Sequence, residues 1–155
     1  MVRYKARYIL FDVLYPNAPK TLGAASTHIE FSSPSDPSIT SSYLSGLLRD
    51  GLAHQFGDYG AGVAGNLSVK YFSPATSTGI VRVSRDHYRL VWTALSFMNE
   101  LKGVPVVIRV VRVSGTIKKA EQEAIRRARK EVKRVGGSLV DVEDIVVEDD
   151  EMEED

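Results

Sequence analysis

The sequence has no cysteine, only three histidines and no long apolar run among its 155 residues. Without cysteine the chain has no disulfide, no thiolate nucleophile and no cysteine-ligated zinc site. The histidines are scattered and show neither a pair at i,i+4 nor another spacing typical of a metal site. No segment reaches the roughly 18 apolar residues of a membrane-spanning helix, and the N-terminal residues alternate in polarity, unlike a signal peptide. We therefore expect a protein outside the secretory pathway and without a membrane partner.

Catalytic motifs are also missing. No serine lies in a GxSxG turn, and the acidic residues Asp12, Asp50, Asp58 and Asp86 are too scattered to suggest the carboxylate cluster of a stand-alone, metal-dependent nuclease. The glycine-rich segment 57–65 follows a predicted helix and enters a predicted strand, which is the reverse of the order in a phosphate-binding loop. A tight connection is its expected role. The sequence therefore predicts no catalytic residue and no metal site.

Charge is divided sharply along the chain. The 20 Lys and Arg residues balance the 20 Asp and Glu residues, so the formal net charge is zero. Ten of the acidic residues lie in residues 138–155, which contain no Lys or Arg, so residues 1–137 carry a formal charge of +10. A basic body suggests a polyanionic partner such as a nucleic acid, although charges can also merely solubilise a surface. We predict one domain over residues 1–137 and a disordered acidic tail over residues 138–155.

Hydrophobic periodicity predicts an α+β fold with the element order β-α-β-β-α-β plus a C-terminal basic helix. Residues 2–14 alternate in polarity and become apolar on both faces, which is typical of a central strand. Residues 16–39 hold four of the six prolines and are expected to be a Pro/Ser-rich insertion. The other predicted elements are a helix over 40–56, a hairpin of strands 63–72 and 79–84, a helix over 86–101, a strand over 104–113 and a helix over 116–135. This order predicts a split β-α-β, ferredoxin-like arrangement with a four-stranded antiparallel sheet and two helices on one face.

The first two predicted helices place apolar residues at helical spacing. Gly46 and Gly51 lie inside the first of them, where glycine costs about 1 kcal/mol relative to alanine, so we expect both glycines to allow close packing. Gly57 is expected to end this helix. One side of the second helix is predicted to carry Tyr88, Val91, Trp92, Leu95 and Met98.

The C-terminal helix is strongly amphipathic. A stripe of small apolar residues is predicted to pack on the sheet, and its members are Ile117, Ala120, Ala124, Ala128, Val132 and Val135. The opposite side is predicted to carry eight cations, namely Lys118, Lys119, Arg126, Arg127, Arg129, Lys130, Lys133 and Arg134. Few glutamates interrupt these cations, so contact with phosphates is favoured over a merely solvated helix face. This helix, or a protein partner, is expected to cover the second apolar face of the sheet.

Further basic residues lie on the predicted strands. Arg3, Lys5 and Arg7 share one face of the first strand, where they would follow a nucleic-acid backbone or protect a sheet edge. The predicted hairpin contributes Lys70, Arg82 and Arg85. Together with the helix cations, these residues form the predicted nucleic-acid-binding set.

Three segments carry a specific family resemblance. They are MVRYKARYIL at residues 1–10, TGIVRVSRDHYRLVWTALSF at 78–97 and SGTIKKAEQEAI at 114–125. In this order and spacing they resemble the small Pop-family protein subunit shared by eukaryotic ribonuclease P and ribonuclease MRP, which has an archaeal counterpart. Among the RNA-contact candidates, the three segments contain Arg3, Lys5, Arg7, Arg82, Arg85, Lys118 and Lys119.

The resemblance implies a non-catalytic RNA-binding subunit of a ribonucleoprotein endoribonuclease, located in the nucleus and nucleolus. Such a subunit supports the catalytic noncoding RNA in removing the 5′ leader of precursor tRNA and in processing precursor rRNA. The implied fold is an RRM-like sandwich. The implied partners are this RNA, the TIM-barrel protein subunit and the other proteins of the same particle, with magnesium on the RNA and no cofactor in this chain.

An alternative of another class remains open. In a small-molecule-binding regulatory domain of ferredoxin-like fold, the sheet face would hold a ligand and the basic helix would only be solvated. The salt dependence of RNA binding separates the two hypotheses, because neutralising several phosphates makes the affinity fall steeply as salt rises.

Overall fold

Residues 5–16 and 34–136 are described by the structure, a computed structural model. The elements are β1 (Ala6–Leu14), α1 (Ser41–Val63), a 3-10 turn (Ala64–Asn66), β2 (Ser68–Ser73), β3 (Thr78–Ser84), α2 (Tyr88–Phe97), β4 (Glu100–Leu101), β5 (Val104–Pro105), β6 (Val107–Ser114) and α3 (Ile117–Gly136). This part of the chain is mixed α/β with a four-stranded antiparallel sheet and three helices, as predicted. The acidic tail, Arg3 and most of the predicted insertion lie outside the described residues.

The main sheet has the strand order β2-β3-β1-β6. β1 pairs antiparallel with β3 on one side and with β6 on the other, so it is a central strand as its two apolar faces predict. Ile9, Phe11 and Val13 belong to the main hydrophobic cluster, whereas Leu10 belongs to a second cluster. Alternating side chains of one strand therefore enter two separate cores.

α1 and α2 pack on the same face of the sheet as Ile9 and Phe11. α1 contributes Leu44, Leu48 and Leu52, which are almost fully buried, and α2 contributes Val91 and Leu95. The leucines recur at i and i+4 and so lie on one side of their helix. No helix in the described ranges combines the length and the apolar content needed to cross a membrane.

The glycine-rich segment after α1 differs from its prediction. The chain leaves helical geometry at Gly57 (φ 64°, ψ −145°), but it resumes a helical course that continues to Val63 and into the 3-10 turn. Segment 57–65 is therefore not a simple tight connection, and β2 begins at Ser68 rather than at residue 63. A Cβ atom on Gly60 would overlap the backbone of Leu52, so this glycine lets the second helical part fold back against the first.

The prediction for Gly46 and Gly51 is wrong. A Cβ atom placed at either position has no neighbouring atom within 4 Å. Neither glycine is therefore required for packing, and both leave a helix weakened relative to alanine.

The second predicted helix is shorter than its periodicity indicated. It ends at Phe97, and the following residues form the β4–β5 hairpin, in which Glu100 pairs with Pro105 and Leu101 with Val104. The turn residues Lys102 and Gly103 both have positive φ, the geometry of a tight two-residue hairpin turn. Trp92, predicted on the same side of α2 as Val91 and Leu95, is 42% exposed, whereas those two residues are buried.

The end of the predicted insertion is anchored to the fold. Ser35 is buried, and its backbone N–H donates to the Pro74 carbonyl at 2.7 Å. The Tyr15 hydroxyl donates to Ser35 Oγ at 2.7 Å, and Ser35 Oγ lies 2.8 Å from Ser77 Oγ. These bonds join the segment before α1 to the loop between β2 and β3.

Candidate nucleic-acid interface

α3 lies across the second face of the sheet. Ala120 forms a small buried cluster with Leu10 of β1 and Ile80 of β3, and the partly buried Tyr8 and Val111 pack against it. Among the α3 side chains that the structure describes, Ala120 is the only fully buried apolar one, so the contact is narrow. The helix therefore shields the centre of this face with little apolar surface.

The orientation of α3 differs from the predicted stripe. Ala128 is exposed, whereas Glu123 is buried and Arg127 is half-buried. Positions 120, 123, 124 and 127 lie on one side of a helix of 3.6 residues per turn, so the side facing the sheet is rotated from the predicted one. The prediction that Arg127 lies on the solvent side is wrong, because its side chain is half-buried and contacts Asp12 of β1. The side chains of Val132, Arg134 and Val135 lie outside the described part.

Asp12 of β1 joins α3 to the sheet. Its Oδ2 accepts hydrogen bonds from Arg109 Nη2 of β6 at 3.0 Å and from Arg127 Nη2 of α3 at 3.2 Å. Its Oδ1 accepts from Thr78 Oγ1 of β3 at 3.1 Å. One carboxylate therefore links three strands and one helix.

Glu123, one helical turn before Arg127 on α3, is the centre of a second ionic cluster. Arg126 donates to its Oε1 at 2.7 Å and its Oε2 at 3.1 Å, and Arg112 Nη1 of β6 donates to Oε2 at 3.2 Å. The hydrogen bonds from Arg126, with the positive charges of Arg126 and Arg112, hold the pKa of Glu123 below its usual value against the opposing effect of burial. The carboxylate stays charged in a position that is otherwise typical of apolar residues.

A β-bulge brings Arg109 and Arg112 to the same face. The pairing of β1 with β6 shifts between Leu10, opposite Arg112, and Phe11, opposite Val110. Two residues that are three positions apart on a regular strand point to opposite faces of the sheet. The bulge adds one residue, Val111, between Arg109 and Arg112, so that both arginines point to the same face. These two arginines were absent from the predicted set, since nothing in the sequence marks the bulge. Four arginines therefore surround two carboxylates along the seam between β6 and α3.

The remaining predicted cations are divided between surfaces. Arg82 lies opposite Tyr8 and therefore on the α3 side of the sheet, whereas Arg7 lies opposite Val83, a residue of the main cluster. The two strand groups thus do not form one row. The exposed members of the predicted set are Lys5, Lys70, Arg85, Lys118, Lys119, Arg126, Arg129 and Lys130, and the half-buried ones are Arg7, Arg82, Arg127 and Lys133.

β2 adds an exposed aromatic residue at the sheet edge. Its register with β3 shifts between Val69 and Tyr71, so that Lys70 and Tyr71 are both exposed while the flanking Val69 and Phe72 contact the main core. Tyr71 lies opposite Ile80 and so on the α3 side of the sheet, on β2, the edge strand farthest from β6.

Within the described residues, no group of three or more metal-ligating side chains comes together. Asp12, the acidic residue of β1, is occupied by two arginines and a threonine. The seam therefore presents cations and hydrogen-bond donors around Asp12.

These features define a mixed α/β protein whose basic helix lies across a four-stranded antiparallel sheet. Residues 7–125 match the model of the Rpp14/Pop5 family, and the chain belongs to this family. It is 56% identical over 142 residues to the ribonuclease P/MRP protein subunit POP5 of Schizosaccharomyces pombe, covering 91% of this chain and 96% of that protein. The Saccharomyces cerevisiae protein of the same name is 41% identical over 135 residues, covering 82% of this chain and 77% of that protein. The family predicted from the three sequence segments is confirmed.

A solved structure of yeast ribonuclease MRP contains a chain that aligns with 89% of this chain and 99% of its own length. The identity is 11% and the TM-score is 0.45. A likeness at this level carries no inference about the partners.

Proposed function

We propose that this protein is an RNA-binding subunit of ribonuclease P and ribonuclease MRP. In this role it supports the catalytic RNA in removing the 5′ leader of precursor tRNA and in processing precursor rRNA, in the nucleus and nucleolus. The chemistry belongs to magnesium ions on the RNA, and this chain supplies no cofactor. Membership of the Rpp14/Pop5 family supports the role.

The observation that carries the proposal is the exposed cationic surface of α3. Lys118, Lys119, Arg129 and Lys130 are all exposed on this helix. Each Lys or Arg that contacts a phosphate releases counterions from the nucleic acid, which supplies affinity without sequence readout. Such contacts would position the protein on a folded RNA.

The strand order β2-β3-β1-β6 and the path β-α-β-β-α-β support an RRM-like, ferredoxin-like sandwich. RRMs commonly bind RNA bases on the sheet face that carries no helices. Here α3 lies over β1 and β6 on that face. We therefore propose phosphate contact through α3, with base contact confined to the open edge at Tyr71.

Protein subunits of the same particle, including the TIM-barrel subunit, are the further proposed partners. Trp92 and Phe97 of α2 are large apolar side chains that are exposed on the side of the sheet opposite α3. Exposed aromatic residues are common in protein interfaces. A protein partner there would leave α3 accessible to RNA.

The proposal is tested by purifying the tagged protein from its native cell and sequencing the RNA that accompanies it. We expect one or two abundant, structured noncoding RNAs. Recovery of no specific RNA would contradict the proposal. The highly purified protein, incubated with precursor tRNA and magnesium, should show no 5′ cleavage, and specific cleavage that survives nuclease treatment of the preparation would place the chemistry in the protein.

A binding experiment tests the α3 surface directly. The variant Lys118→Glu, Lys119→Glu, Lys130→Glu should bind the transcribed RNA more weakly and with a flatter dependence of log affinity on log salt. The double variant Arg89→Glu, Lys102→Glu, on the other side of the molecule, serves as the control for charge reversal at a different surface. A shallow salt dependence of the unaltered protein would instead favour a small-molecule-binding domain.

A further inference from the structure

We infer that Arg109 and Arg127, held side by side by Asp12, form a phosphate-binding pair for the RNA backbone at the seam between β6 and α3. The inference rests on the proposed RNA binding and locates one contact within it. Arg109 belongs to none of the three segments that carry the family resemblance.

The geometry brings two guanidinium groups to one oxygen atom. Arg109 Nη2 and Arg127 Nη2 lie 3.0 and 3.2 Å from Asp12 Oδ2. One carboxylate neutralises one of the two cations, so the cluster keeps a net positive charge. A phosphodiester presents two charged oxygens, which suits two neighbouring guanidinium groups.

The exposure of the three side chains places the cations outside and the carboxylate inside. Asp12 is 16% exposed, whereas Arg109 and Arg127 are 36% and 29% exposed. A guanidinium group carries five N–H donors, and Asp12 is bound through Nη2. An anion arriving from solvent meets arginine before it meets aspartate.

The attachment of α3 to the sheet does not account for the ion pair between Arg109 and Asp12. Of the two ion pairs that Asp12 makes, the one with Arg127 joins α3 to β1. The ion pair of Arg109 with Asp12 joins β6 to β1, two strands that backbone pairing already connects from Tyr8 to Leu14. The second arginine therefore adds charge at the seam where the fold does not require it.

Asp12 acts as a positioning residue for the pair. Thr78 Oγ1 binds its Oδ1 at 3.1 Å, which holds the carboxylate in place and through it both arginines. A free arginine side chain loses considerable rotamer freedom when it binds a ligand. Ordering both arginines before binding reduces this loss, which strengthens binding of a phosphate.

The test compares Arg109→Gln with the unaltered full chain, using transcribed ribonuclease P RNA as the probe. Because Arg127 still binds Asp12, the variant should keep its melting temperature within a few degrees. Its affinity at moderate salt should fall about three- to tenfold, and the slope of log affinity against log salt should decrease by about one. Arg89→Gln, at an exposed arginine of α2 away from the seam, removes the same charge as a control and should change neither quantity.

A second variant separates charge from geometry. Arg109→Lys should keep the salt slope, because it keeps the cation. It should bind more weakly than the unaltered protein, because lysine lacks the planar pair of parallel N–H groups with which a guanidinium binds a phosphate. An unchanged affinity and slope in Arg109→Gln, with RNA binding of the unaltered protein intact, would overturn the inference and leave the proposed function standing. Absence of RNA binding by the unaltered protein would instead overturn the proposed function.

Discussion

The two faces of the sheet hold their helices by different means. On one face Ile9, Phe11 and Val13 pack against the leucines of α1 and the apolar residues of α2. On the other face Leu10 and Ile80 meet the buried Ala120 of α3. On this second face, ion pairs centred on Asp12 and Glu123 add to the small apolar contact.

This difference predicts that α1 and α2 are attached to the sheet more strongly than α3. Complete burial of a large apolar side chain contributes about 1.5–3 kcal/mol, whereas an exposed ion pair contributes about 0–1 kcal/mol. The seam carboxylates are largely buried while their arginines are half-exposed, so these pairs lie between exposed and buried cases. α1 and α2 should therefore unfold only with the whole domain, whereas α3 should detach locally and respond to pH.

The largest expected effect comes from the apolar face. Phe11→Ala removes a fully buried ring and should lower the free energy of unfolding by about 3–5 kcal/mol, measured by chemical denaturation. Leu10→Ala, one residue away on the other face, should cost less, about 2–3 kcal/mol, because the narrow α3 contact can relax around it. Equal losses would show that both faces are packed equally well.

Loss of an ion pair on the second face should release α3 locally, without unfolding the rest of the domain. Asp12→Asn removes the charge that holds Arg109 and Arg127, and we expect a loss of about 1–3 kcal/mol. Hydrogen exchange should accelerate in α3 while the amides of α1 keep their protection. Asp50→Asn, at an exposed position of α1, is the matched control and should change neither helix. Acceleration spread uniformly over the domain would contradict local detachment.

Acid should weaken the ionic face before the apolar one. The pKa of Glu123 is lower in the folded protein than in the unfolded chain, mainly because Arg126 binds its carboxylate. Its stabilisation is therefore fully present above the unfolded pKa of about 4.5 and is lost as pH falls through the lower, folded pKa. Denaturation curves between pH 7 and pH 3 should show a smaller loss for Glu123→Gln than for the unaltered protein. Parallel pH dependences would exclude Glu123 as a source of the acid sensitivity.

The smallest expected effect is a gain in stability from two glycines of α1, the helix that packs on the apolar face. Gly46→Ala and Gly51→Ala should each raise the free energy of unfolding by about 0.5–1 kcal/mol, because open space surrounds both positions within a helix. Gly60→Ala is the control of opposite sign, since its methyl group would meet the backbone of Leu52. A loss of stability in the first two variants would mean that the helix tolerates no side chain there.

Local patterns in the sequence were sufficient for the types of most elements. Alternation that becomes apolar on both sides predicted the central β1, because only a strand covered on two faces can bury Leu10 and Phe11 together. The three segments of the resemblance identified the family, which the comparisons confirm. The rotation of α3 was predicted incorrectly, since Ala128 is exposed and Arg127 faces the sheet.

What the sequence by itself determined is the type of most elements, the family and the concentration of cations on the last helix, because these depend on residue type and short-range spacing. Only the tertiary structure decided which cations meet. The bulge in β6 turns Arg109 and Arg112 toward α3, and Asp12 and Glu123 then select the side of the helix that faces the sheet. Ion pairing between Asp12 and Arg127, 115 residues apart, depends on distance in space. Spacing along one helix holds no information about a carboxylate on a distant strand.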